Sequence, residues 1–177
     1  MINCRLRKWE VAGFIFISLG GSALHFLFDW TGQWVPVAPL APVNESVWEH
    51  LKMAFWPGMA FYAVQYWRLG AQTRNAPAAA AASLSIVPIF IILAFYSYTA
   101  VLGTHLLPLD VAIFLVAIGI SQIVHYRLVS GNPLPPGWNG LGVFLVLILA
   151  TALVTFTFHQ PEAFVFRDPF TGGYGLP

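Results

Sequence analysis

Residues 42–52 read PVNESVWEHLK (Pro42 to Lys52) and lead directly into an apolar run from Met53 to Trp67. This motif holds two glutamates, a histidine and a lysine, although only 8% of the 177 residues are charged. A soluble domain carries roughly 25% charged residues, so the composition is typical of an integral membrane protein. Ionisable side chains are therefore concentrated directly before a hydrophobic helix, which requires an explanation in a membrane protein.

Apolar segments of spanning length recur along the rest of the sequence, at roughly 20 residues per membrane helix. They predict an all-α polytopic bundle, a single integral membrane domain over 1–177, with five transmembrane helices at about 9–30, 47–67, 83–102, 109–128 and 141–158. Pro57-Gly58 inside the second helix predicts a kink or break, because proline removes a backbone hydrogen bond. Residues 69–82 are expected to form a loop, and 160–177 an irregular outer tail.

The positively charged residues predict the orientation, since they favour cytoplasmic loops. With the N-terminus inside, six of them are cytoplasmic and only Lys52 and Arg167 are not. The six are Arg5, Arg7, Lys8, Arg68, Arg74 and Arg127. We therefore expect the N-terminus inside, the C-terminus outside, and a bacterial inner-membrane location. The net charge of +1 does not suggest nucleic-acid binding, and the single Cys4 excludes an internal disulfide.

The predicted topology places most acids and histidines near the outer side of the membrane. The acids are Asp29, Glu45, Glu49, Asp110, Glu162 and Asp168, and the histidines are His25, His50, His105 and His159. His125 remains as an expected residue of the inner interface. His25 and Asp29 are four positions apart and so share a helix face. A carboxylate beside an imidazole suits a metal ligand or a general base, and the alternative is a hydrogen bond that ties two helices together.

Helix capping explains part of the motif. Asn44 is a good N-cap residue, and Ser46 with Glu49 matches a capping box. Capping does not explain two like charges, Glu45 and Glu49, four positions apart. A metal ion, a shared proton or Lys52 would relieve their repulsion.

These patterns predict a metal-dependent hydrolase site, with Zn²⁺ or another divalent ion favoured by nitrogen and oxygen ligands. The expected metal ligands are His25, Asp29 and His50, with Glu45 as either a ligand or a catalytic carboxylate, and Glu49 is the expected general base. Further candidates are His105, His159, Asn44, Trp48 and Lys52. The expected substrate is a lipid or a periplasmic small molecule.

Two other classes of protein remain open. A transporter or proton relay would use the same residues and would need polar groups that continue inward. Below His25 the polar residues are mainly Ser18, Ser97, Thr99 and Gln122, so the inner half of the bundle is predicted to hold few polar groups. An accessory subunit of a membrane complex would use the polar outer face for docking alone. The oligomeric state is not predicted.

The tail contains Thr171 to Gly175, TGGYG, which is similar to a potassium-channel filter. A filter precedes a further membrane helix, and none follows here, so the channel interpretation is rejected. We expect Arg167, Asp168 and Tyr174 to fold back over the outer face.

The motif, together with Gly21-Ser22-Ala23-Leu24-His25-Phe26, resembles an uncharacterised family of small bacterial multi-pass membrane proteins marked by P-V-N-E-S-x-W-E-H-x-K. The resemblance covers about residues 18–67 and supplies no activity. It singles out His25, Asn44, Glu45, Trp48, Glu49, His50 and Lys52.

A looser similarity, through Ser22, His25 and Asp29, is to the seven-helix membrane hydrolases that include alkaline ceramidases and progestin/adiponectin receptors. This chain has fewer predicted helices and no His-x-x-x-His, so no residue roles are transferred.

Overall fold

The computed structural model describes residues 2–70 and 73–176. Met1, Ala71, Gln72 and Pro177 lie outside the described residues, and with them part of the predicted 69–82 loop and the last residue of the predicted tail. The structure is all-helical, as predicted. Its helices are α1 (Ile2–Trp30), α2 (Val47–Leu69), α3 (Ala76–Leu102), α4 (Leu107–Val129) and α5 (Trp138–Phe158), with short 3-10 helices at Val35–Val37 and Phe164–Phe166.

Four helices, α1, α3, α4 and α5, are long and apolar enough to cross a membrane within the part of the chain that the structure describes. The protein therefore has the spans of a membrane protein, and these helices contact lipid. The exception is α2, whose lower hydropathy follows from the ionisable residues of the motif.

Two helices begin earlier than predicted, and the predicted break in α2 is absent. α1 begins at Ile2 rather than at about 9. α3 begins at Ala76 rather than at about 83, because the alanine run expected in the loop is a strong helix former and Pro77 suits a first turn. α2 is not broken at Pro57 but continues from Val47 to Leu69. The buried Pro57 ring lies against α1 at Gly20, so helix packing supports the turn that lacks a hydrogen bond.

The five helices share one apolar core. Each contributes a buried side chain to it, among them Ile17, Phe55, Leu84, Ile118 and Leu153. α1 packs on α2 and α4, α3 packs on α2 and α4, and α5 lies mainly on α3.

Gly21 lets α1 approach the backbone of α2. A Cβ atom at this position would lie 2.5 Å from the Met53 carbonyl oxygen and 2.8 Å from the Phe114 ring. Small residues allow such close approach between membrane helices. One turn further along α1, His25 consequently lies beside His50 of α2, with ring centroids 5.1 Å apart.

Candidate functional site

The motif begins α2 with a half-formed capping box. Ser46 is the N-cap residue, and its hydroxyl accepts the Glu49 N–H. Asn44 is therefore not the N-cap that the sequence suggested. Its Oδ1 accepts the Ser46 N–H, and its Nδ2 donates to the Gly175 carbonyl at 2.8 Å. Asn44 thus connects the motif to the C-terminal tail.

Glu49 and Lys52 form a buried ion pair, and neither side chain is exposed. Lys52 Nζ lies 2.6 Å from Glu49 Oε2 and also donates to the carbonyls of Ala38 and Ala41. All three ammonium hydrogens therefore have acceptors. This geometry pins the 31–46 loop against the first turns of α2.

Both carboxylate oxygens of Glu49 also accept other hydrogen bonds. Its Oε2 accepts the Val43 N–H, and its Oε1 accepts from Gln160 Nε2 at 3.1 Å. The two glutamates of the motif are kept apart, because Glu45 precedes the helix and pairs with His50 whereas Glu49 pairs with Lys52. Lys52 thereby balances the charge of Glu49, which relieves the predicted repulsion between Glu45 and Glu49.

A triad of His25, Glu45 and His50 is the second arrangement at this end of the bundle. One potential ligand atom from each residue lies within 4.8 Å of the others. The side chains of His50 and Glu45 are 29% and 45% exposed, so the triad is open to one side. In the protonated ring His50 Nε2 donates to Glu45, and this hydrogen bond holds the pKa of the Glu45 carboxyl below its ordinary value.

The tautomer of His50 determines what the triad can bind. Nδ1 lies 2.8 Å from the Ser46 carbonyl oxygen, which can only accept, so Nδ1 carries a hydrogen. In the neutral ring Nε2 then presents a lone pair to Glu45 Oε2, 3.3 Å away. Two acceptors face each other favourably only when a proton or a metal ion lies between them.

His25 adds a second imidazole to the triad. Its Nδ1 is buried, and no hydrogen-bond partner lies within reach of it among the described residues. Asp29, expected to orient this ring, is exposed and forms no hydrogen bond to His25 in that part of the chain. Within the described residues, Nδ1 of His25 is therefore left for a ligand to satisfy.

A cavity of about 350 Å³ adjoins the triad. The end of α1, the motif and the C-terminal tail form its walls. Its lining includes His25, Asp29, Asn44, Glu45, Asp168 and Tyr174.

The tail is held over this cavity by Asp168, as its predicted fold-back requires. Asp168 Oδ2 accepts the Glu45 N–H, while Oδ1 accepts from Phe170 and Thr171 within its own turn. Burial alone would raise the pKa of the Asp168 carboxyl, but the backbone hydrogen bonds from Thr171, Glu45 and Phe170 hold it below its ordinary value.

The other candidates lie elsewhere. His105 is exposed and pairs with Asp110, and His159 is exposed at the C-terminal end of α5. The Trp48 ring packs on Phe156 and Phe166, so it anchors the tail's 3-10 helix to the bundle. None of these three belongs to the triad.

Sequence reasoning missed a polar cluster at the opposite end of the bundle. His125, expected at the inner interface, is only 2% exposed and its Nδ1 lies 2.9 Å from Glu10 Oε1. Gln65, Tyr62 and Gln122 lie in the same region of the bundle. The inner half of the bundle therefore contains a buried polar cluster. The signal that could have revealed it was Glu10, the one acid that the predicted topology left at the inner end.

Comparisons with known proteins give a family without an activity. The family model described as a family of unknown function (DUF6512) matches residues 1–176. No curated protein and no solved structure matches the chain.

Proposed function

This chain belongs to the DUF6512 family of unknown function, and we propose that it is a multi-pass membrane metallohydrolase. The triad of His25, Glu45 and His50 binds a divalent metal ion, and the adjoining cavity receives a lipid or a small molecule. The observation that carries the proposal is the convergence of His25, Glu45 and His50, whose potential ligand atoms lie within 4.8 Å of one another.

The ligand chemistry supports zinc or another first-row ion. Two imidazoles and one carboxylate form a set that catalytic zinc sites use, with a fourth position left for water. Nitrogen ligands disfavour Ca²⁺ and Mg²⁺. The partial exposure of Glu45 and His50 leaves room for that water and for a substrate group.

The predicted catalytic roles are reassigned in this proposal. Glu45 is a ligand, and Glu49 is a structural residue because Lys52, Val43 and Gln160 occupy its oxygens. Asp29 is an exposed carboxylate that lines the same cavity. It is therefore the better candidate for the base that takes a proton from a metal-bound water.

The proposed topology has five spans, with the N-terminus inside and the C-terminus outside, in the inner membrane. α2 runs antiparallel along α1, since Gln65 bonds to Glu10 at one end and His50 lies by His25 at the other. Its 23 residues extend about 35 Å at 1.5 Å each, which suffices to cross. Glu49 and Lys52 face the interior of the bundle rather than lipid, so its low hydropathy does not oppose insertion.

Activity is tested with the purified full chain, loaded with zinc, against fluorogenic lipid esters and amides in detergent. We expect turnover that a chelator abolishes and that zinc restores. His50→Ala should abolish it, whereas His159→Ala, which changes an exposed histidine outside the triad, should leave it intact. Equal activity of the two variants would contradict the hydrolase assignment.

A second candidate function, ion-coupled transport, is favoured by the Glu10–His125 pair buried at the opposite end of the bundle. Uptake of a labelled solute into proteoliposomes under an imposed cation gradient would support it, provided that His50→Ala left the uptake unchanged. A docking role in a membrane complex remains the proposal to adopt if the triad binds no metal and no transport is found.

A further inference from the structure

Glu10 is a buried acid inside an apolar membrane helix. It is 7% exposed and lies within the candidate span Cys4–Trp30. It is fifteen residues from His25, which is about 22 Å along α1. An ionisable residue within a membrane span is costly and marks a functional site in most cases.

Donors from the described residues reach one oxygen of the Glu10 carboxylate and not the other. Oε1 accepts from His125 Nδ1 at 2.9 Å and from Gln65 Nε2 at 2.9 Å. Oε2 is buried, and no donor reaches it from any residue that the structure describes. A carboxylate oxygen buried without a partner destabilises a protein, so a positively charged ligand at this oxygen would be stabilising.

Two neighbouring amide oxygens share this condition. Gln65 Oε1 and Gln122 Oε1 are buried and also have no donor within the described part of the chain. Gln65 is bonded to Glu10 directly. Gln122 Oε1 points at α1 one turn beyond Glu10, where it lies 2.8 Å from the position a Cβ atom of Gly13 would take.

The amide nitrogens of Gln65 and Gln122 both donate within this region. Gln122 Nε2 donates to the Tyr62 hydroxyl at 3.1 Å, and that hydroxyl also bonds to Ser121. The Tyr62 ring stacks on His125 with centroids 4.1 Å apart, which fixes the imidazole that binds Glu10. The unsatisfied atoms of Glu10, Gln65 and Gln122 are acceptors, and amide and carboxylate oxygens are the ligands of hard cations.

We infer that Glu10, Gln65 and Gln122 form a monovalent cation site, with sodium as the fitting ion. With His125 as the neutral imidazole, the one carboxylate charge balances one monovalent charge, and the two amide oxygens complete the coordination without adding charge. The site lies at the other end of the bundle from the triad and does not depend on the proposed hydrolase activity.

Sodium binding is tested by thermal unfolding of the purified full chain in detergent. Titrations with sodium, lithium, potassium and choline chlorides are compared at constant ionic strength. We expect a saturable rise in the unfolding temperature with sodium and none with choline. At a sodium concentration of 100 times Kd, the unfolding equilibrium constant should fall about 100-fold.

Glu10→Gln should abolish the sodium effect, because the amide keeps an acceptor for His125 and removes the charge. Glu162→Gln removes an acid from the exposed tail and is the matched control, with the full effect retained. If Glu10→Gln does not fold, Gln122→Met supplies the second test, with a weakened response expected. A response equal in sodium and choline, or unchanged in the Glu10→Gln and Gln122→Met variants, would overturn the inference.

Infrared spectroscopy gives an independent reading. A carboxylic-acid C=O band that is present in sodium and disappears in Glu10→Gln would show that a proton satisfies Oε2, which also overturns the inference. The expected result is that the carboxylic-acid band is absent in sodium and that a carboxylate band shifts when sodium is added.

Discussion

Glu49 Oε2 and Lys52 Nζ lie 2.6 Å apart on adjacent turns of α2, and neither side chain has exposed surface. Two backbone carbonyls, those of Ala38 and Ala41, complete the shell of the ammonium group. The most highly charged stretch of the chain thus contributes an interior ion pair that fixes a loop. Only Glu45 and His50 of the motif remain available for chemistry.

Breaking this pair should destabilise the protein strongly. We expect Lys52→Met and Glu49→Gln each to lower the free energy of unfolding by about 3–5 kcal/mol, because a buried group loses its partner. The double variant should cost less than the sum of the two. Thermal unfolding in detergent measures this, with Lys8→Met, at an exposed lysine, as the control near zero. Additive single effects would contradict a direct pair.

Gly21→Ala should separate α1 from α2. The added Cβ would lie 2.5 Å from the Met53 carbonyl oxygen, a backbone atom that cannot rotate away. We expect a loss of about 1–3 kcal/mol in unfolding free energy, together with weaker metal binding, since His25 moves away from His50.

Gly140→Ala is the matched control for that variant. Gly140 also lies in a helix, and a Cβ there would meet nothing within 4 Å. We expect no loss of stability, and a gain of up to about 1 kcal/mol from helix propensity. If both variants lose stability equally, close helix approach is not the reason for Gly21.

Acidification should release the tail through Asp168. The pKa of this carboxyl is below its ordinary value of 3.8 when the tail is docked. Its stabilising contribution is therefore complete above about pH 3.8 and is lost as the pH falls through the lower, docked value. Tryptophan fluorescence monitors the release, because Trp48 packs on Phe166.

Asp168→Asn should show the released signal at neutral pH, because an amide does not carry the negative charge that the backbone N–H groups favour. Glu162→Gln, at an exposed tail acid, should behave as the unmodified protein does. A transition at the same pH in Asp168→Asn would show that another group controls the tail.

The proposed five-span topology would place the two ends of the chain on opposite sides of the membrane. Cys4 is exposed and is the sole cysteine, so it reports on the N-terminal side. A membrane-impermeant maleimide should label Cys4 only in inverted vesicles. In a Cys4→Ser background, Glu162→Cys should be labelled only in intact cells. Labelling of both from one side would show that α2 does not cross.

The sequence predicted five helices because long apolar runs mark four of them and the shorter run Met53 to Trp67 marks α2. It predicted Ser46–Glu49 capping because that contact is local. It could not assign partners across the bundle. Whether Glu49 faces Lys52 or His25 depends on how α1 packs on α2, and Gly21 determines that packing through a single missing methyl group. Local capping also favoured Asn44, which bonds instead to the distant Gly175.

The Glu10 cluster escaped prediction for the same reason. Glu10, Gln65 and His125 come from three helices and are separated by more than fifty residues along the chain. No spacing within one helix reveals them. The positive-residue rule also directed attention to the other membrane face, where most acids lie.

Metal stoichiometry of the purified full chain tests the central claim most directly. After incubation with zinc and removal of excess metal, we expect about one zinc per chain, lost in His50→Ala and in Glu45→Gln. His159→Ala and His105→Ala alter exposed histidines outside the triad and should retain it. Zinc absent from the unmodified chain, or bound equally by His50→Ala, would contradict a metal site formed by His25, Glu45 and His50.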